Sequence, residues 1–217
     1  MKQIAFILFC LLINPVASYA AEPPAQTYEA LVAAAKRGDK PVDWTAIRLA
    51  YTKSKNYDWS GASAYPAQNA MIKAIEAKDY ATAAKQANSI LDDNYANMFA
   101  HRTLELVYGA TGDKKLEQQY NENVEGIFNS IRNGGDGKSM EKSFRAVSIG
   151  EEYQMLTMLG LRPKSQSLAA NNPDGHTYDV MTATSAEGNE YTVYFQIDLI
   201  SAAEAALVKD PMPVSKE

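Results

Sequence analysis

The sequence predicts an α+β fold, an antiparallel array of helices over residues 27–133 followed by a small antiparallel β-sheet with one or two helices over residues 134–208. Three observations predict it. Between Tyr65 and Asn133 four apolar stripes keep the 3.6-residue period of amphipathic helices, and only short polar breaks separate them. Gly134-Gly135-Asp136-Gly137 then stops the last helix and marks a boundary. Beyond it, Tyr191, Val193, Phe195 and Ile197 alternate with Glu190, Thr192, Tyr194 and Gln196, the period-two signature of a half-buried strand.

The chain begins with Lys2 and an apolar run, Ile4 to Ile13, broken by Asn14 and Pro15 and followed by Ala17-Ser18-Tyr19-Ala20. That order is the one a secretory signal peptide has, so residues 1–20 are expected to be removed after Ala20 and the protein to be periplasmic or secreted. The run is too short for a bilayer, which needs roughly 20 apolar residues. Cys10 is the only cysteine. It lies inside the apolar run behind bulky Phe9, so it is not a lipid-attachment site and leaves with the signal. No disulfide then remains, and packing must supply the stability. Residues 21–26 read as a disordered leader and 209–217 as a disordered tail.

Helical periodicity starts with Tyr28, Leu31, Val32 and Ala35, and Gly38 is a stop signal. Asp43 is placed to cap a second helix containing Trp44, Ile47 and Tyr51. Residues 54–64 read as a loop. The four stripes follow: Ala67 to Ile75, Tyr80 to Leu91, Phe99 to Ala110, and Leu116 to Ile131. The breaks Lys78-Asp79 and Gly112-Asp113 stand 34 residues apart, the tetratricopeptide period. Lys78-Asp79-Tyr80-Ala81-Thr82-Ala83 resembles the turn of such a repeat, in which an aromatic and an alanine let two helices pack closely. The second copy departs from the pattern, with Lys114 and Glu117 at the aromatic and alanine positions. In that register Gln68, Ile72, Glu76, Arg102 and Leu106 would line a concave, peptide-binding face. In the second half, 144–149, 164–169, 177–184 and 190–197 read as strands, and 151–159 and 201–208 as helices.

A net charge of −5 argues against a nucleic-acid partner, and no basic amphipathic stretch suggests a membrane surface after signal cleavage. Gly135-Asp136-Gly137-Lys138-Ser139 lacks the first glycine of a phosphate loop, since Arg132 occupies that place. His101 and Glu105 fall one helical turn apart, but zinc needs three or four ligands and no third is near. The expected role of that pair is a helix-surface contact. His176 and Asp179, three apart, would point to opposite faces of a strand. No nucleophile elbow is present. Glu151-Glu152 is the one paired-carboxylate cluster; adjacent helix positions diverge, and two acids in a first helical turn complement the helix dipole. No cofactor and no metal are expected.

Gly135 to Ser139, Glu151-Glu152-Tyr153, Gln166-Ser167-Leu168, Tyr178-Asp179-Val180 and Tyr194 to Asp198, with Asp43-Trp44 and Arg48-Leu49-Ala50-Tyr51 in the helical half, together resemble a family of exported bacterial proteins known as a domain of unknown function. Gln196 stands where the family favours Asn. The resemblance implies export and a two-part layout and brings no activity with it. It leaves Lys138, Ser139, Glu151, Glu152, Tyr153, Gln166 and Asp179 as motif positions without an assigned role. The expectation is a non-enzymatic module that binds a protein or peptide. A small cell-envelope hydrolase using Glu151 or Glu152 is one alternative, and a periplasmic immunity or inhibitor protein is another.

Overall fold

A computed structural model describes residues 26–209. The expected signal peptide, the leader up to residue 25 and the tail from residue 210 lie outside the described residues. Among the described residues no helix is long and apolar enough to cross a membrane.

Six helices come first: α1 (Tyr28–Arg37), α2 (Trp44–Tyr51), α3 (Tyr65–Glu76), α4 (Tyr80–Asp93), α5 (Met98–Thr111) and α6 (Lys114–Arg132). Their starts follow from side-chain chemistry. Asp43, Asp79 and Asp113 each accept a hydrogen bond from the backbone N–H three residues on, and Thr27 and Asn97 do the same for α1 and α5. Gly38 and Gly112 end α1 and α5 in the left-handed conformation, where a side chain would be strained.

From α3 to α6 each helix packs on the next, and α3 also touches α5. Small residues permit this. Ala74 of α3, Ala83 of α4 and Val107 of α5 form one buried cluster, and Ala83 and Ala87 have no exposed surface. The close approach of α2 to α6 has the same cause: a Cβ on Gly126 would stand 2.3 Å from the Trp44 ring, so the indole lies over bare backbone.

The second half is a four-stranded sheet in the order β1-β4-β3-β2, with β1 Phe144–Arg145, β2 Arg162–Ala169, β3 Tyr178–Thr184 and β4 Glu190–Gln196. Strands β2, β3 and β4 pair antiparallel as expected, but β1 lies parallel to β4, so the sheet is mixed. The strand expected over 144–149 shortens to two residues because Ser148 caps the next helix, α7 (Ile149–Met158). The last helix, α8 (Asp198–Lys209), begins three residues before the expected start.

One face of the sheet, carrying Asp179, Met181, Ala183, Val193 and Phe195, is buried, and α7 packs beside it. Besides that small cluster, one large hydrophobic core runs through the described residues from Ala35 through Leu104, Ile127 and Met155 to Ile200. The change at residue 134 is therefore a change of secondary structure over one shared core.

Candidate functional site

Helix α7 concentrates the buried polar chemistry. Ser148 Oγ accepts from Glu151 N at 3.2 Å, which fixes the first turn and sends two consecutive acids in different directions. Glu151 turns toward the helical half. Arg48 of α2 meets it in a two-pronged pair, Nε to Oε1 at 2.8 Å and Nη2 to Oε2 at 2.6 Å. Arg48 also donates to Ser130 Oγ and to the Arg145 carbonyl, and Val147 N donates to Glu151 Oε2. Both side chains are almost fully buried, at 2% and 3% exposure. Every hydrogen bond that a buried pair needs is thus in place. The pair ties α2, α6, β1 and α7 at one point.

Glu152 turns the other way, toward the sheet, and has no exposed surface. Its neighbour is Asp179 on β3. Were both groups ionised, neither would donate, and both Glu152 oxygens would be buried without a partner. A proton resolves this. Burial, reinforced by the Asp179 charge, pushes the Glu152 carboxyl up to about 9, so at neutral pH it is an acid that donates to Asp179. Burial raises Asp179 as well, opposed by its hydrogen bonds from Gln166 and Glu152. Gln166 Nε2 on β2 donates to Asp179 Oδ2, and the Tyr153 hydroxyl stands 3.5 Å from Gln166 Oε1. Tyr153 is 40% exposed, so the chain Tyr153–Gln166–Asp179–Glu152 runs from solvent to a fully buried acid.

Five of the seven motif positions therefore meet around α7, four in this chain and Glu151 in the ion pair. Lys138 and Ser139 lie elsewhere, in the glycine turn. There Lys138 N donates to Asp136 Oδ1, and Ser139 Oγ accepts from Lys142 N. A Cβ on Gly135 would meet the Lys142 carbonyl at 2.3 Å, and one on Gly137 the Phe144 ring at 2.6 Å. The glycines in this motif let the turn fold onto its own backbone and onto β1.

Of the helical positions, Gln68, Ile72 and Glu76 lie on α3, and Arg102 and Leu106 on α5. Ile72 and Leu106 are exposed, at 41% and 48%. Arg102 pairs with Glu105 at 2.6 Å. His101 is not on the helix surface and does not pair with Glu105. It is fully buried beside Trp44, Tyr95 and Tyr120, and its Nε2–H donates to the Tyr95 carbonyl at 2.7 Å. Burial pushes its pKa down to about 4, so the ring is neutral. His176 precedes β3 instead of lying on it, and its Nδ1 is 2.7 Å from Asp198 Oδ2. Among the described residues no group of three or more His, Cys, Asp or Glu is placed to hold a metal.

Sequence reading did not give Arg48 a role. The signal was a lone arginine among apolar positions of a short helix, Ile47-Arg48-Leu49-Ala50, where a buried cation demands an anion elsewhere. Ser148, with Glu151 three residues on, was a legible helix-start signature inside a segment read as strand.

No curated protein and no solved structure matches the chain. One family does, over residues 40–205, and it covers Arg48, the α7 acids, Gln166 and Asp179 alike. The chain belongs to the family described as a domain of unknown function, DUF4919.

Proposed function

We propose that this is an exported, non-enzymatic module that holds a protein or peptide on the shared face of α3 and α5, in the manner of tetratricopeptide repeats. One observation carries the reading. Ile72 and Leu106 occupy the same place in successive helix pairs, on helices that touch, and both are large aliphatic side chains left in water. A single exposed leucine is ordinary, but two aligned at the repeat spacing form an anchor line. Gln68 and Arg102, one turn earlier on each helix, are aligned likewise and supply hydrogen bonds beside the apolar pair. Covering each aliphatic side chain is worth about 1.5–3 kcal/mol. An immunity or inhibitor protein is a narrower form of this reading.

The hydrolase alternative has less support. Glu151 is engaged on both oxygens, and Glu152 is hydrogen-bonded to its partner acid, whereas glycoside hydrolysis needs carboxyl groups about 5–9.5 Å apart.

Selection from a displayed peptide library tests the binding reading. Wild type is expected to enrich peptides with paired aliphatic anchors. The Ile72→Asp, Leu106→Asp double variant, folded by circular dichroism, is expected to lose them by about 100-fold, a loss near 3 kcal/mol. Equal enrichment by both proteins removes the α3–α5 face from consideration. Export has its own readout: the protein recovered from outside the cytoplasm should begin at Ala21, and a retained Met1 would contradict it.

A further inference from the structure

Where the helical half meets the start of α7 there is a half-enclosed pocket of about 80 Å³, walled by Ser63, Ser89, Asn97, Ser148, Gly150 and Gln154. Three of these side chains are more than nine-tenths buried: Asn97 at 5% exposure, Ser148 at 4% and Gln154 at 8%. Each has its oxygen engaged by backbone. Asn97 Oδ1 accepts from Ala100 N, Gln154 Oε1 from Met98 N, and Ser148 Oγ from Glu151 N. An amide whose oxygen is tied in this way must turn its NH2 elsewhere. Among the described residues no protein acceptor receives the Asn97 or Gln154 NH2, or the Ser148 hydroxyl proton. Ser63 and Ser89 add hydroxyl groups to the same wall. Gly150 lies in the first turn of the ten-residue α7, where the helix dipole favours negative charge. The loop opposite is held by Asp58, which accepts from the backbone of Ser60, Gly61 and Ser63.

We propose that this pocket binds a carboxylate group. Each of the three buried polar side chains in the wall, Asn97, Ser148 and Gln154, offers a donor and has its acceptor occupied, which is the complement of a group with acceptors alone. The volume holds several water-sized groups, enough for a carboxylate and its α-carbon, so a larger ligand enters by its end. Asp93 also lines the pocket, its Oδ1 receiving Asn56 Nδ2 at 3.3 Å. Its charge disfavours a dianion and suits an ammonium beside the carboxylate. The shared chemistry belongs to a free amino acid and to a peptide C-terminus. Ala67 of the pocket and Ile72 of the binding face lie about 140° apart around α3, so the two sites are separate.

Calorimetric titration with three probes, L-alanine, N-acetyl-L-alanine and N-acetyl-L-alaninamide, tests the proposal. At least one of the two carboxylates is expected to bind, and the amide is not. Tighter binding of L-alanine identifies a free amino acid, and tighter binding of N-acetyl-L-alanine a peptide end. Gly150→Ala places a methyl in the pocket with its nearest neighbours at 3.5–3.9 Å, an ordinary contact, and Gln154→Glu replaces a donor while keeping the oxygen that caps α5. Either is expected to weaken the carboxylate by about 10- to 100-fold, with the circular dichroism spectrum unchanged. If neither carboxylate binds, or the amide binds as well as they do, the pocket holds only water and the proposal is wrong.

Discussion

Arg48→Ala is expected to destabilise the protein by about 3–5 kcal/mol, because it leaves Glu151 charged, buried and unpaired. Few domains have more than about 5–15 kcal/mol to lose. The loss does not stop at the pair. Arg48 also serves Ser130 and the Arg145 carbonyl, so α6 and β1 lose donors in the same substitution. Urea unfolding of wild type and variant measures it, and a shift below about 1 kcal/mol would place the pair among surface ion pairs in energetic terms. A double variant, Arg48→Met with Glu151→Leu, separates stability from geometry. Replacing both charges by apolar groups of similar size is often neutral or stabilising. Recovery of stability in the double variant is the expected outcome, and continued loss would show that the hydrogen bonds to Ser130 and Val147 matter more than the charges.

The helices were legible in the sequence because each carries its own signals. The caps Asp43, Asp79 and Asp113 and the stops Gly38 and Gly112 act within a few residues, so reading along the chain finds them. The hairpin of β3 and β4 was legible for the same reason. The parallel pairing of β1 with β4 was not, since Phe144 and its partner Phe195 are far apart in the chain and two residues carry no period. The site shows the same division. Glu151 and Glu152 were visible as a pair, but their opposite roles come from Arg48 and Asp179, one upstream in the helical half and one across the sheet. His101 misled for a related reason: a turn-spaced His and Glu look like a surface pair until Trp44, Tyr95 and Tyr120 close over the ring.

Glu152→Gln is expected to stabilise the protein increasingly as pH rises, the reverse of Arg48→Ala. In the folded chain Glu152 keeps its proton up to about 9, whereas its ordinary value is 4.5. Below pH 4.5 folded and unfolded chains both hold the proton, and the hydrogen bond to Asp179 contributes fully. Between 4.5 and about 9 only the folded chain holds it, so the folded state binds more protons than the unfolded. Stability then falls with rising pH, by about 1.4 kcal/mol per pH unit for one such group, and the contribution is gone above the folded value. Asp179 and Glu151 both raise the Glu152 carboxyl by their charge, and Glu204 acts on Asp179 in the same sense. A glutamine at position 152 donates to Asp179 at every pH and has no proton to lose. Because the two acids titrate as a coupled pair, the comparison is made across a range, with urea midpoints from pH 5 to pH 8. His101, held near 4 against an ordinary 6.5, adds the same upward slope below about pH 6.5 to both proteins, so the expected result is read as their difference, the gap between variant and wild type widening by about 1.4 kcal/mol per unit across the range. Parallel curves would mean that Glu152 is ionised in the folded protein and that the proton between α7 and β3 is absent.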